Sequence, residues 1–92
     1  MLEEVKGYIK VNWEHENTSI QGIISRGKGH LNGLTGTKIN FVDDEGLGKS
    51  LLFDYCRYAY NNSLEYFEDN FSKEILRLQL QEAIKERAKD EG

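Results

Sequence analysis

The chain contains no proline, one cysteine, one tryptophan and one methionine, and its bases are outnumbered by its acids. Each shortage narrows the fold and the function. The absence of proline, the strongest helix breaker, fits a mostly helical chain, though nine glycines complicate that picture. A single cysteine permits no disulfide framework. Cys56, set in an apolar run, is expected as a core residue of a reduced, intracellular protein. No stretch approaches the ~20 apolar residues that a membrane span requires, and the acidic opening Met1-Leu2-Glu3-Glu4 is unlike a signal peptide. Sixteen acids against twelve bases give a formal charge of −4. That balance argues against binding nucleic acid by neutralising phosphates.

What is present is enough for one small domain spanning residues 1–92. A chain of this size buries only ~60–65% of its unfolded surface, so its stability is marginal unless something else contributes. Leu2, Val5, Tyr8 and Ile9 share one helical arc, with Glu3, Glu4 and Lys6 outside it. A polar loop around residues 12–17 follows. Thr18 and Gln21 have capping-box spacing ahead of a second helix whose core stripe is Ile20, Ile23, Ile24, Gly27, Leu31 and Leu34. Gly22, Gly29 and Gly33 fall on its opposite side. They suit either close approach by another backbone or an imperfect helix closed by Gly33 and Gly36.

A third helix is expected over residues 49–61. Its apolar residues spread over roughly 240° of the circumference, against the ~100° stripe of an ordinary surface helix, and only Ser50, Asp54 and Arg57 share a polar side. After the break Asn61-Asn62-Ser63 comes a short aromatic segment with Leu64, Tyr66, Phe67 and Phe71. Ser72 is the expected cap of a last helix, whose main stripe is Leu76, Leu80, Ala83 and Ile84, with Ile75 and Leu78 as a second patch. Glu74–Arg77, Glu82–Lys85 and Glu86–Lys89 are spaced as surface pairs. The sum is an all-α bundle of about four helices, with a long irregular loop at 35–46.

The chemistry-bearing candidates are few. Gly48-Lys49-Ser50 has the tail of a phosphate-binding loop, but the position needing its first glycine holds Asp43, followed by Asp44 and Glu45. Glu14-His15-Glu16 lacks the spacing of a metal site. Cys56 has no base near it in sequence. Arg26-Gly27-Lys28-Gly29-His30 is a short basic run better suited to a solvated face. Trp13 and Phe41 suit packing anchors at the bundle ends. No paired acids, triad or cofactor motif emerges, so a non-enzyme with no cofactor and no metal is expected.

Three blocks resemble a known family. Residues 2–12, Leu-Glu-Glu-Val-Lys-Gly-Tyr-Ile-Lys-Val-Asn, are similar to the opening helix of the small head–tail connector, or head-completion, proteins of tailed bacteriophages. Residues 20–36, closing on Leu34-Thr35-Gly36, resemble that family's second helix, with glycines where the family carries alanines. Residues 51–71 resemble its third helix and the turn beyond, above all in Arg57-Tyr58-Ala59-Tyr60-Asn61-Asn62 and Phe67-Glu68-Asp69-Asn70-Phe71. Leu76-Arg77-Leu78-Gln79-Leu80 completes the pattern.

The resemblance implies a virion protein at the head–tail interface, present in the host cytoplasm during assembly. It would form a homo-oligomeric ring, dodecameric on the virion, beneath the portal protein. There it would extend the DNA channel toward the next head-completion or tail protein, with DNA passing unbound and no membrane involved. Together with the over-wide third helix, this places Arg57, Tyr58, Tyr60, Phe67 and Phe71 at or beside subunit contacts, and Ile75 and Leu78 against the portal. The alternative from size and charge is a small acidic phage or plasmid inhibitor of a host protein.

Overall fold

The computed structural model describes residues 1–42 and 46–91, with side chains through residue 88. The described residues form five α-helices: α1 (Leu2–Tyr8), α2 (Asn17–Thr35), α3 (Leu47–Tyr60), α4 (Phe67–Asn70) and α5 (Ser72–Glu91), with a 3-10 turn at Leu64–Tyr66. The expected all-helical fold is what the chain adopts. The helix beyond the expected four is α4, a single turn inside the aromatic segment.

The helices α2 and α3 make the central pair, with α1 and α5 each packed against both. Gly27 sets how closely that pair approaches. A Cβ there would meet Leu52 Cδ1 at 2.7 Å and Tyr55 Cδ1 at 2.8 Å, so any side chain would force these two side chains, or the helices that carry them, to shift. Gly29 and Gly33 have nothing within 4 Å; the close approach is on the core side of α2 and not on its outer glycine side. The core gathers Val5, Ile20, Ile24, Leu31, Leu51, Leu52, Cys56, Phe67 and Leu78 around this crossing.

Helix ends are closed mainly by backbone geometry. After α1, Lys10 takes a left-handed conformation (φ 63°), and Val11 N–H donates to the Lys6 carbonyl at 2.8 Å while Lys10 N–H donates to Gly7 at 3.3 Å. That pairing of bonds is a Schellman closure. Helix α3 ends the same way at Asn62 (φ 57°), with Ser63 N–H donating to Tyr58 at 2.8 Å and Asn62 N–H to Ala59 at 3.2 Å. Gly36 (φ 70°) closes α2, as expected, whereas Gly33 lies inside the helix. The expected capping box does not form: α2 begins at Asn17 behind Glu16 with no side-chain cap bond, which puts Thr18 within the helix.

The segment after α2 is held in place. Asn32 Oδ1 accepts from Ile39 N–H at 2.9 Å, and the Thr37 hydroxyl donates to Glu82 Oε1 at 3.0 Å. Ile39 and Phe41 are buried, so this connection contributes to the core. Phe41 is a packing anchor as expected; Trp13 is largely exposed, its indole N–H donating to Glu16 at 2.7 Å. Lys6, expected on the solvent side of α1, is buried.

Candidate interaction surface

The breadth of α3 is satisfied within one copy. Of its apolar and aromatic residues from Leu47 to Tyr60, none is exposed. The reason is the short segment after the Asn61-Asn62-Ser63 break, which folds back over α3 and seats Phe67 at 1% exposure. Phe67 meets Tyr55 and Tyr58 edge-on, at 5.5 and 6.0 Å between centroids, and Tyr58 meets Phe71 edge-on at 5.5 Å; Phe67 and Phe71 lie tilted to each other at 5.3 Å. Edge-to-face pairs of this kind add roughly 0.5–1.5 kcal/mol beyond the area they bury. The expectation that Phe67 offers apolar surface outside the bundle is therefore corrected. Tyr58, Tyr60 and Phe71 are half-buried.

The last helix carries the larger correction. Ile75 and Leu78, expected as an outlying patch, are its buried line at 8% and 2% exposure. Leu76, Leu80 and Ile84, expected as the core stripe, are 57%, 57% and 68% exposed. At ~100° per residue the two lines run on nearly opposite sides of the helix. Glu82 continues the Ile75–Leu78 line into the protein. Its carboxylate accepts from the Thr37 hydroxyl and lies 3.2 Å from Lys85. Glu82 is buried, and burying a carboxylate is tolerable because these partners replace its water. Gln79 Nε2 donates to the Leu34 carbonyl at 2.8 Å on the same side. The expected Glu82–Lys85 pair is present; Glu74–Arg77 is not among the ion pairs of the described residues, and Glu86–Lys89 lies outside the described side chains.

Arg57 is exposed beside a cluster of polar groups. Its guanidinium is 3.3 Å from Asp54 and stacks over the Tyr58 ring at 5.0 Å. Asp54 also accepts the Tyr8 hydroxyl, a bond that pushes the tyrosine's pKa up, with burial adding to it. Tyr58 and Arg57 border an open cleft of about 330 Å³ completed by Asn61, Ser63, Tyr66 and Asn70. On the neighbouring side, two adjoining clefts of about 310 and 500 Å³ share Tyr55, Leu64 and Glu65 as walls.

The other candidates have structural employment. Gly48 packs so tightly that a Cβ would meet Ile39 Cγ2 at 2.6 Å, and Lys49 Nζ reaches Glu4 at 2.8 Å. The Asp43-Asp44-Glu45 stretch lies outside the described residues. Cys56 is buried, and burial pushes its thiol up to about 12, far from a reactive thiolate. His15 stacks on Trp13 at 5.9 Å; His30 lies 3.8 Å from Glu68. Among the described residues no group of three or more metal-ligating side chains comes together, and no helix is long and apolar enough to cross a membrane.

The surface thus sorts into an outward line on α5 and a rim of clefts around the turn between α3 and α4. The line was visible in the sequence but assigned to the wrong side; the clefts were not visible, because they exist only once residues 64–71 fold back. Comparison with protein-family models, with characterised proteins and with solved structures finds no match.

Proposed function

We propose that this chain is a structural head–tail connector of a tailed bacteriophage, a helical protomer that joins copies of itself in a ring under the portal and extends the DNA channel toward the tail. The observation that carries the reading is the uncovered line Leu76–Leu80–Ile84 on a helix of twenty residues. A small domain that leaves three large aliphatic side chains in register on one helix face gains by covering them with another protein surface. The resemblance described above supplies the identity of the assembly, and its blocks fall on α1, α2, α3 with the following turn, and α5.

The net charge suits a DNA conduit. Carboxylates lining a channel repel phosphates and let the duplex pass without adhering. The inhibitor alternative has less support: a mimic of DNA needs an unbroken run of carboxylates, and α5 interleaves its acids with Lys73, Arg77, Lys85 and Arg87. Sedimentation of the purified chain with and without the portal protein tests the proposal. The expected result is a complex that sediments with the portal. A chain that stays monomeric and apart from the portal at high concentration contradicts it.

A further inference from the structure

The outward face of α5 is apolar and basic on a protein that is acidic as a whole. Around Leu76, Leu80 and Ile84, helical spacing places Lys73, Arg77 and Arg87 on the same side. Glu82 lies on the opposite side, and Glu74 and Glu86 stand off the face at about 120° on either flank. None of those three cations forms a salt bridge among the described residues; the ion pairs present there involve Lys49, Arg57, Lys85, His30 and the N-terminus. From Ala83 through Ala88 every side chain is exposed, so this stretch of the helix stands beyond the bundle.

The opposite chemistry sits around the turn between α3 and α4. The two adjoining clefts there have apolar walls from Ile23, Tyr55, Ala59 and Leu64. Glu65 and Glu68 line them as exposed carboxylates, with Arg26 on the larger cleft and His30, 3.8 Å from Glu68, on the smaller. A groove walled by apolar side chains and rimmed by charge is the usual receptor for an amphipathic helix whose anchors recur every third or fourth residue.

We infer that the basic–apolar face of α5 docks into the acid-rimmed groove beside Leu64 on a second copy of this chain. Leu76, Leu80 and Ile84 enter the clefts, while Lys73, Arg77 and Arg87 meet the Glu65 and Glu68 carboxylates. This rests on the reading that copies of the chain assemble together, and it specifies their contact. Because line and groove are different surfaces, the contact is heterologous: each copy offers one of each, and repetition gives a ring if the rotation closes. Opposite charge at the rim fixes orientation and speeds encounter more than it adds affinity.

The test uses two full-length variants. Leu80→Asp spoils the line and leaves the groove intact; Glu65→Lys with Glu68→Lys reverses the groove rim and leaves the line intact. All substituted positions are exposed, and thermal melting confirms that both variants fold. In sedimentation velocity, wild-type protein is expected to self-associate as concentration rises. Each variant alone is expected to weaken association at least tenfold, and an equimolar mixture to restore a one-to-one dimer that grows no further, since one good interface can form.

Oligomers that persist in both variants overturn the contact while leaving the ring reading intact. So does a mixture that fails to pair when each variant is monomeric. Wild-type protein that stays monomeric to about 1 mM also overturns the contact, and the portal experiment then judges the ring reading separately. Binding to anionic vesicles without self-association would assign the face to a lipid surface and overturn it as well.

Discussion

Gly27 and Gly29 sit two residues apart on α2 and answer to different constraints. A methyl at Gly27 meets Leu52 and Tyr55 inside 3 Å, so Gly27→Ala should destabilise by roughly 1–3 kcal/mol, the usual range for overpacking a core. A methyl at Gly29 meets nothing within 4 Å, and Gly29→Ala should stabilise by about 1 kcal/mol through helix propensity alone. Urea denaturation of the two variants checks both signs. Lys10 holds a left-handed backbone that costs an ordinary residue about 1–2 kcal/mol and glycine almost nothing. Lys10→Gly should therefore raise the urea midpoint, less the entropy glycine adds to the unfolded chain. Cys56 supplies a kinetic counterpart: with its thiol pushed up to about 12 by burial, iodoacetamide should label the native protein far more slowly than the urea-unfolded chain.

At the scale of elements, α5 shows what a sequence pattern conveys and what it leaves out. Its two apolar lines were both legible, but periodicity alone does not say which one faces inward. The inward line continues through Glu82, a residue that the pattern assigns to solvent and that lies buried with its carboxylate bonded to Thr37, forty-five positions away. Leu78→Ala should accordingly cost about 2–5 kcal/mol, and Leu76→Ala within about 0.5 kcal/mol, the reverse of what the stripe predicts. In α3 the breadth of the apolar face was legible too. Its cover was hidden in residues 64–71, the short aromatic segment after the break, whose Phe67 and Phe71 fold back onto Tyr55 and Tyr58. The Gly36 closure was readable because it depends on near neighbours in the chain, and the packing roles of Cys56 and Phe41 because each side chain is apolar enough to be drawn into the core.

Two carboxylates tie the flanking elements to α3. The Lys49 hydrogen bond, then its charge, holds the Glu4 pKa below the usual carboxylate range. The Tyr60 hydroxyl, then the Trp13 indole, does the same for Glu16. A depressed pKa contributes stability that is complete above the unfolded value, ~4.3 for glutamate, and is lost as pH falls through the folded one. The tyrosines behave oppositely: Tyr60 and Tyr8 are raised chiefly by their bonds to Glu16 and Asp54, so their contribution is present below pH ~10 and lost above it. The melting temperature should be flat between about pH 5 and 9 with respect to these groups and fall on both sides. Glu4→Gln with Glu16→Gln should flatten the acid limb.

At the scale of the whole molecule, one copy measures 47 × 25 × 19 Å, elongated for its length because α5, about 30 Å long at 1.5 Å per residue, outruns the bundle it packs on. The protomer covers its aromatic cluster by itself and leaves its aliphatic line uncovered, and that difference moves the expected self-contact from α3 to α5. A ring of the proposed kind would present two kinds of surface at every joint, which would make the joint directional. A specific interface needs about 600 Å² from each partner, so the line and groove together, and not the three aliphatic residues alone, have to meet. On the proposed reading the chain is encoded by a tailed phage, and quantitative mass spectrometry of that phage's purified virions tests the central claim most directly. The account predicts this chain in the particle at a copy number equal to that of the portal protein; virions that contain the portal and lack this chain would contradict it.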